Sequence, residues 1–302
     1  MKSISLSFIY DETLFKLLGT SDRIRQPDDC FDTEERRRCG AHYTTEENIL
    51  KVIRPLFMDD LRAEFEKIKT NRKKLQEFHH KLASLNFFDP ACGCGNFLVL
   101  AYRELRILEM EVLEILHKSG QKFLDTEFVS QVDVDQFYGI EIVEFPVRIA
   151  ETALWLMDHQ MNMFASERFG RYYVRLPLQK SAKIVLGNAL RIDWNDVIPR
   201  EKCTYILGNP PFVGKQYQDT EQKEDVYLVL SLLKGFGVLD YVCCWYVKAA
   251  EYIQETTIPV GFVSTNSITQ GEQSGILWAW MYAKGIHINC VPFICLDERS
   301  ER

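Results

Sequence analysis

The stretch that decides the fold runs from Asn86 to Leu116 and reads NFFDPACGCGNFLVLAYRELRILEMEVLEIL. It opens on a short apolar run of strand character, turns through a loop with two glycines and two cysteines, and continues as a long amphipathic helix. The same alternation continues downstream. QFYGIEI (136–142) reads as a strand, FPVRIAETALWLMDHQMN (145–162) as a helix, and AKIVLGNAL (182–190) and TYILGNPPF (204–212) as strands. LDYVCCWYVKAAEYI (239–253) reads as a helix and PVGFVSTNSI (259–268) as a strand. Strands alternating with helices imply an α/β fold, a doubly wound and mostly parallel sheet covered on both faces.

Upstream, GAHYTTEENILKVIRPLFMDDLRAEFEKI (40–68) starts a helix. Thr44 and Glu47 have the spacing of a capping box, and Ile49, Val52, Ile53, Leu56 and Phe57 fall on one face. The basic run KIKTNRKK (67–74) reads as a solvated helix face or connector rather than a nucleic-acid patch. His79 and His80 are expected in solvent at a helix end. Residues 1–38 read as a poorly specified leader or stub, closing on the charged run Glu34–Arg38. The expected division is 1–38, a helical segment 39–85, a catalytic domain 86–288 and an atypical tail 289–302.

Of the 302 residues, 46% are apolar or aromatic, enough for a large core, and the net charge is -7. A negative chain is not built to grip phosphates over its whole surface, so any hold on nucleic acid is local or supplied elsewhere. No apolar run reaches membrane-spanning length, and MKSISLSFIYDETLF turns acidic too early for a signal peptide, so a cytoplasmic protein without a membrane partner is expected. The nine cysteines are scattered and odd in number, as reduced thiols acting as small hydrophobes would be. Cys92 and Cys94 lack a second pair or a nearby histidine, so no metal site is expected.

In a doubly wound sheet, ligands sit beyond the carboxyl ends of the strands, and the unusual residues gather there. Gly93 and Gly95 allow a tight strand-to-helix turn and close approach of a ligand to a helix N-terminus. Asp89 ahead of them would repel a pyrophosphate, and an acid beside a carboxylate-binding helix end suits a zwitterion. Glu141, ending the next strand, is placed to accept both hydroxyls of a ribose. A ribose, a zwitterion and a tight glycine loop together describe S-adenosylmethionine. In the last loop, Pro210 and Pro211 hold Asn209 and Pro210 extended and bring no N–H to occupy an acceptor. The Asn209 side-chain oxygen and the Pro210 carbonyl can then hold the two hydrogens of an amine while Phe212 offers a flat apolar face. The bland alternative is a strand end with Pro-Pro as a rigid stop.

The motifs DPACGCGNF, GIEI, GNAL and NPPF, in this order, resemble the class I S-adenosylmethionine-dependent amino-methyltransferases of DNA, whose sheet is Rossmann-like. More closely, GAHYTTEENILKVIRPLFMDDLRAEFE, DPACGCGNFL, YGIEIVEFPVRIAETALWLMDHQMN, GNPPFVGKQ, GVLDYV and FVSTNSITQGEQ resemble the methyltransferase part of the MmeI-like single-chain restriction-modification enzymes, over Glu34 to about Ile288. The resemblance implies that Tyr43 and Thr44 touch the methionine end of the cofactor, with Thr44 as a plain helix cap as the alternative. Asp89, Gly93 and Gly95 would line its amino-acid moiety, with Ala91 and Asn96 also counted as cofactor-binding. Glu141 would bind the ribose, and Asn188 with Ala189 would border the adenine. In the catalytic loop Asn209, Pro210, Pro211 and Phe212, the first two would hold the target amine and Phe212 would stack on a DNA adenine flipped out of the helix. Asparagine first and phenylalanine last favour adenine N6 over cytosine N4.

The resemblance also implies a nuclease domain before this region and a target-recognition domain after it. No Asp…Glu-x-Lys site stands before Glu34, and IHINCVPFICLDERSER (286–302) departs from the family pattern, so a truncated chain with an altered tail is expected. Three functions are therefore compatible with the sequence: a DNA adenine N6-methyltransferase, an amino-methyltransferase for RNA or protein glutamine, and a silent remnant that still binds the cofactor.

Overall fold

The computed structural model describes residues 44–118, 130–169, 180–269 and 271–287. Three helices come first: α1 (Glu46–Ile53), α2 (Asp59–Ile68) and α3 (Arg72–Ser84). One wide π turn, Arg54–Met58, joins α1 to α2 without a break. Pro55 explains it, because a residue with no N–H leaves a carbonyl of the preceding turn without its usual partner. The expected face of α1 is observed, with Ile49, Val52, Ile53 and Phe57 buried and Leu56 partly so. The expected capping box is not. Thr45, not Thr44, is the N-cap and its side chain makes no capping bond, while the Thr44 hydroxyl bonds Asn209.

The alternation read from the sequence is present: β1 (Phe87–Asp89), α4 (Asn96–Lys118), β2 (Phe137–Glu141), α5 (Glu144–Phe169), β3 (Lys183–Leu186), α6 (Trp194–Val197) and β4 (Tyr205–Gly208). Then come α7 (Thr220–Leu230), α8 (Cys243–Tyr252), β5 (Val260–Phe262) and α9 (Gly271–Ala283). The five strands lie in the order β3-β2-β1-β4-β5 and every pair is parallel. The chain therefore winds outward from β1 to β3 and returns to lay β4 on the other side of β1. That reversal makes the β1–β4 junction the switch point where such sheets bind ligands.

Parallel strands are covered on both faces, and β1 shows why it opens on two adjacent aromatic residues. Phe87 stacks on Phe137 at 4.9 Å and meets Phe57 at 5.0 Å on one face, while Phe88 meets the edge of Trp194 at 5.2 Å on the other. The first face is covered by α1 to α5 and the second by α6 to α9. The expected amphipathic helix is observed in α4: Glu104, Ile107, Glu111, Glu114 and Ile115 form one partly buried stripe and most of the other described residues are buried, because α1 to α3 cover much of the flank that would have met water.

Burial brings polar residues of α4 inside. Glu109 accepts hydrogen bonds from His79 Nε2 (2.9 Å), Ser130 Oγ (2.6 Å) and the amides of Gln131 (2.6 Å) and Val132 (2.9 Å), and pairs with Arg106 Nε at 3.3 Å. Arg106 also donates to Asp158 Oδ1 (2.8 Å) and Asn162 Oδ1 (2.9 Å) on α5. His79, expected in solvent, is thus buried as a donor to a carboxylate, whereas His80 is exposed. The basic run 67–74 is mostly exposed across the α2–α3 connection, as expected of a solvated connector.

Candidate active site

At the carboxyl end of β1, the Ala91 N–H donates to Asp89 Oδ1 at 3.0 Å, closing the turn that starts the loop. The Cys92 N–H reaches the Ile140 carbonyl of β2 at 3.1 Å, and the Gly95 N–H reaches the Cys92 carbonyl at 2.8 Å. Gly93 and Gly95 both have positive φ, +54° and +85°. They differ in what surrounds them. A Cβ on Gly95 would lie 3.0 Å from the Cβ of Ala150 on α5, so this glycine lets two helices approach. A Cβ on Gly93 would meet nothing within 4 Å, so its Cα faces open space. Asn96, half-buried, opens α4.

Glu141 ends β2 and closes over this loop. Its Oε2 accepts the Gly93 N–H at 3.0 Å and its Oε1 the Val143 N–H at 2.9 Å. Each oxygen thereby keeps a further lone pair for a hydroxyl. Burial pushes its carboxyl above the usual range, against the amides of Val143, Gly93 and Ile142. Asp89 is displaced further. It is 1% exposed, and burial drives its carboxyl up to about 8, opposed by the Ala91 amide and reinforced by the Glu141 charge. Burial therefore favours the neutral acid at pH 7.

At β4 the strand end lies against the end of β1. Gly208 is pressed onto Asp89, and a Cβ there would lie 2.4 Å from Asp89 Oδ1. The next residue, Asn209, is half-buried and donates from Nδ2 to the Thr44 hydroxyl at 2.8 Å. That bond orients the amide so that Oδ1 is the side presented away from Thr44. The Thr44 hydroxyl is therefore a partner of the loop after β4, and the N-cap position of α1 falls to Thr45. Pro210 is buried, Pro211 is half-buried, and the Phe212 ring is partly buried against the cores on both faces of the sheet. Tyr43 lies outside the described residues.

Asn188 and Ala189 follow β3. Asn188 Nδ2 donates to Asp225 Oδ2 at 2.8 Å and its Oδ1 accepts the Leu190 N–H at 2.9 Å, so the side chain shapes its own loop. The buried Ala189 lends its carbonyl to Trp194 Nε1 at 2.9 Å. The sequence reading missed Asp225 and the residues of α8 that brace these loops: Trp245 Nε1 donates to the Pro90 carbonyl (3.0 Å), and Lys248 Nζ to those of Leu190 (3.3 Å) and Ile192 (2.6 Å). Tryptophan and lysine inside the apolar helix 239–253 were the available signal.

The loops after β1, β2 and β4 thus converge at the switch point, with an acid, an open glycine backbone, a second carboxylate and an asparagine amide. Residues 65–292 match the family model for the MmeI DNA-methyltransferase domain. The chain belongs to this family. DNA methyltransferase A of Bacillus subtilis (strain 168) is 39% identical over 259 residues, covering 85% of this chain and 29% of that protein. The solved structure of the type IIL restriction-modification enzyme MmeI in complex with DNA is 58% identical with a TM-score of 0.81, covering 84% of this chain and 34% of that one. This chain therefore spans about a third of the length of these relatives. Membership of a methyltransferase family implies a methyl donor, and no described helix is long and apolar enough to cross a membrane.

Proposed function

We propose that this chain transfers a methyl group from S-adenosylmethionine to the N6 amine of adenine in DNA, as part of, or derived from, a restriction-modification system, in the cytoplasm. The observation that carries the reading is the contact of Asp89 with Gly208, which sets the cofactor loop directly against the residue before Asn209. The two relatives, one named as a DNA methyltransferase and one solved with DNA, favour DNA over RNA or protein as the acceptor.

The residues fit this cofactor. Gly93 leaves room for the amino-acid moiety over its backbone, with Ala91, Gly95 and Asn96 shaping the loop around it. Asp89 faces the ammonium and regains its charge when a cation arrives. Glu141 has an acceptor for each ribose hydroxyl, and Asn188 and Ala189 border the adenine. Thr44, bonded to Asn209, lies toward the methionine end. When bound, the cofactor supplies a sulfonium methyl that needs no further activation. The chain's own part is positional. Asn209 Oδ1 and the Pro210 carbonyl accept the two amine hydrogens, turn the nitrogen lone pair toward the methyl, and stabilise the positive charge that develops on the nitrogen. Pro211 fixes Pro210, and Phe212 stacks on the base once it leaves the helix. The reading of DNA sequence is assigned to a target-recognition domain distinct from these residues.

Incubating the chain with labelled S-adenosylmethionine and separate DNA, RNA and protein acceptors tests the assignment, with label expected in DNA adenine. Asn209→Ala is expected to lower transfer by about 100-fold or more, with cofactor affinity held within about threefold. Loss of both together would make Asn209 structural, and cofactor binding with no transfer to any acceptor would leave a silent binding domain.

A further inference from the structure

Asp225, on α7, lies on none of the four motifs and is 1% exposed. Its Oδ2 accepts from Asn188 Nδ2 and from the Tyr241 hydroxyl, both at 2.8 Å, and its Oδ1 accepts from Arg191 Nε at 2.6 Å. Tyr241 in turn donates its backbone N–H to the Val213 carbonyl at 3.0 Å, next to Phe212. The Tyr241 ring packs edge-on against Trp245 at 5.2 Å, and that indole holds the Pro90 carbonyl. A continuous path of short bonds therefore runs Asn188–Asp225–Tyr241–Val213, from the loop after β3 to the loop after β4.

A carboxylate buried this deeply is expensive unless its donors are in place, and the donors here come from two segments: Asn188 and Arg191 from the loop after β3, and Tyr241 from just before α8. Arg191 is half-exposed and balances the charge from the solvent side, whereas the bonds to Asn188 and Tyr241 lie inside. Burial, with the Asp225 charge beside it, pushes the Tyr241 phenol up, so it remains a donor throughout the working range of pH. Displacing Asn188 removes one of Asp225's three donors, and displacing Asp225 loosens Tyr241 and with it Val213.

We propose that Asp225 is a positioning residue that ties the loop bordering the cofactor's adenine to the catalytic loop, so that seating the adenosine and aligning Asn209 to Phe212 occur together. This rests on the assignment of S-adenosylmethionine to the site. The bonds themselves do not depend on it.

Three variants separate the roles. Tyr241→Phe removes only the hydroxyl and keeps both the ring contact and the N–H to Val213. Asp225→Asn keeps an acceptor oxygen for Asn188 and Tyr241 and gives up the ion pair with Arg191. Asn188→Ala removes the far end. By calorimetry with S-adenosylmethionine, Tyr241→Phe and Asn188→Ala are each expected to weaken binding about tenfold and Asp225→Asn by less than about threefold. The double variant is expected to be no weaker than the worse single one. In the ligand-free chain, Tyr241→Phe is expected to speed amide hydrogen exchange in both 188–192 and 213–218. Additive losses of affinity, or faster exchange in only one of the two loops, would overturn the coupling. If the unmodified chain takes up no S-adenosylmethionine, the cofactor assignment fails, while the exchange experiment still decides the link between the loops.

Discussion

Glu109 and Asp89 are carboxylates buried in the same strand-turn-helix unit, at 0% and 1% exposure, and their surroundings are opposite. Glu109 sits against four hydrogen-bond donors and the Arg106 guanidinium. Burial alone would raise its carboxyl, but the His79 bond, the Arg106 and His79 charges and Ser130 hold it below the usual range. Asp89 has the Ala91 amide and a second carboxylate nearby, and rises to about 8. The first acid has the partners a structural charge needs. The second is short of them, and a group so placed is where a cationic ligand gains most by arriving.

The sharpest way to break this contrast is to remove the satisfied acid. Glu109→Ala leaves Arg106 and His79 without their partner in the interior, and we expect a loss of about 3–5 kcal/mol in urea unfolding, the usual cost of orphaning a buried charge. Asp89→Asn should have the opposite sign. An unfolded aspartate ionises near pH 4, whereas the folded one holds its proton to about 8. Across that window the folded state binds the extra proton, so stability falls as pH rises. An asparagine side chain has no proton to lose, so the substitution is expected to stabilise the ligand-free chain by about 1–3 kcal/mol at pH 8 and to change little at pH 4. The same variant is expected to weaken S-adenosylmethionine binding at least tenfold, and unmodified chain binding it at pH 7 should release a proton, seen as a calorimetric enthalpy that varies with the buffer. A fold that loses stability at pH 8 on Asp89→Asn would make Asp89 a second structural acid. The smallest effect belongs to Gly93→Ala. With nothing within 4 Å of the new Cβ and φ at +54°, it is expected to cost about 1–2 kcal/mol from the left-handed backbone alone, yet to obstruct the ligand far more than it harms the fold.

The strand-helix alternation from β1 to β5 was legible because each strand is a short, mostly apolar run, and the first four end at or just before aspartate, glutamate or glycine. Helices α7 and α9 were not read, and α3 was read only as part of one helical segment, 39–85. Their polar and apolar residues are set by neighbours on two sides, so one stripe does not stand out. The roles of Thr44 and His79 were misjudged or left open for a common reason: each bonds a residue distant in the chain, Asn209 and Glu109 respectively. Local spacing favoured a cap for one and a solvated helix end for the other.

By itself the sequence determined the order of strands and helices, the family, and which residue types stand at the strand ends, because backbone periodicity and turn chemistry are local properties. Only the tertiary structure decided that β4 returns beside β1, that Asp89 presses on Gly208, and that Thr44 answers Asn209 and Asp225 answers Asn188. Those outcomes depend on burial by parts of the chain far apart in sequence. Burial sets both whether a charge survives and which donor reaches it.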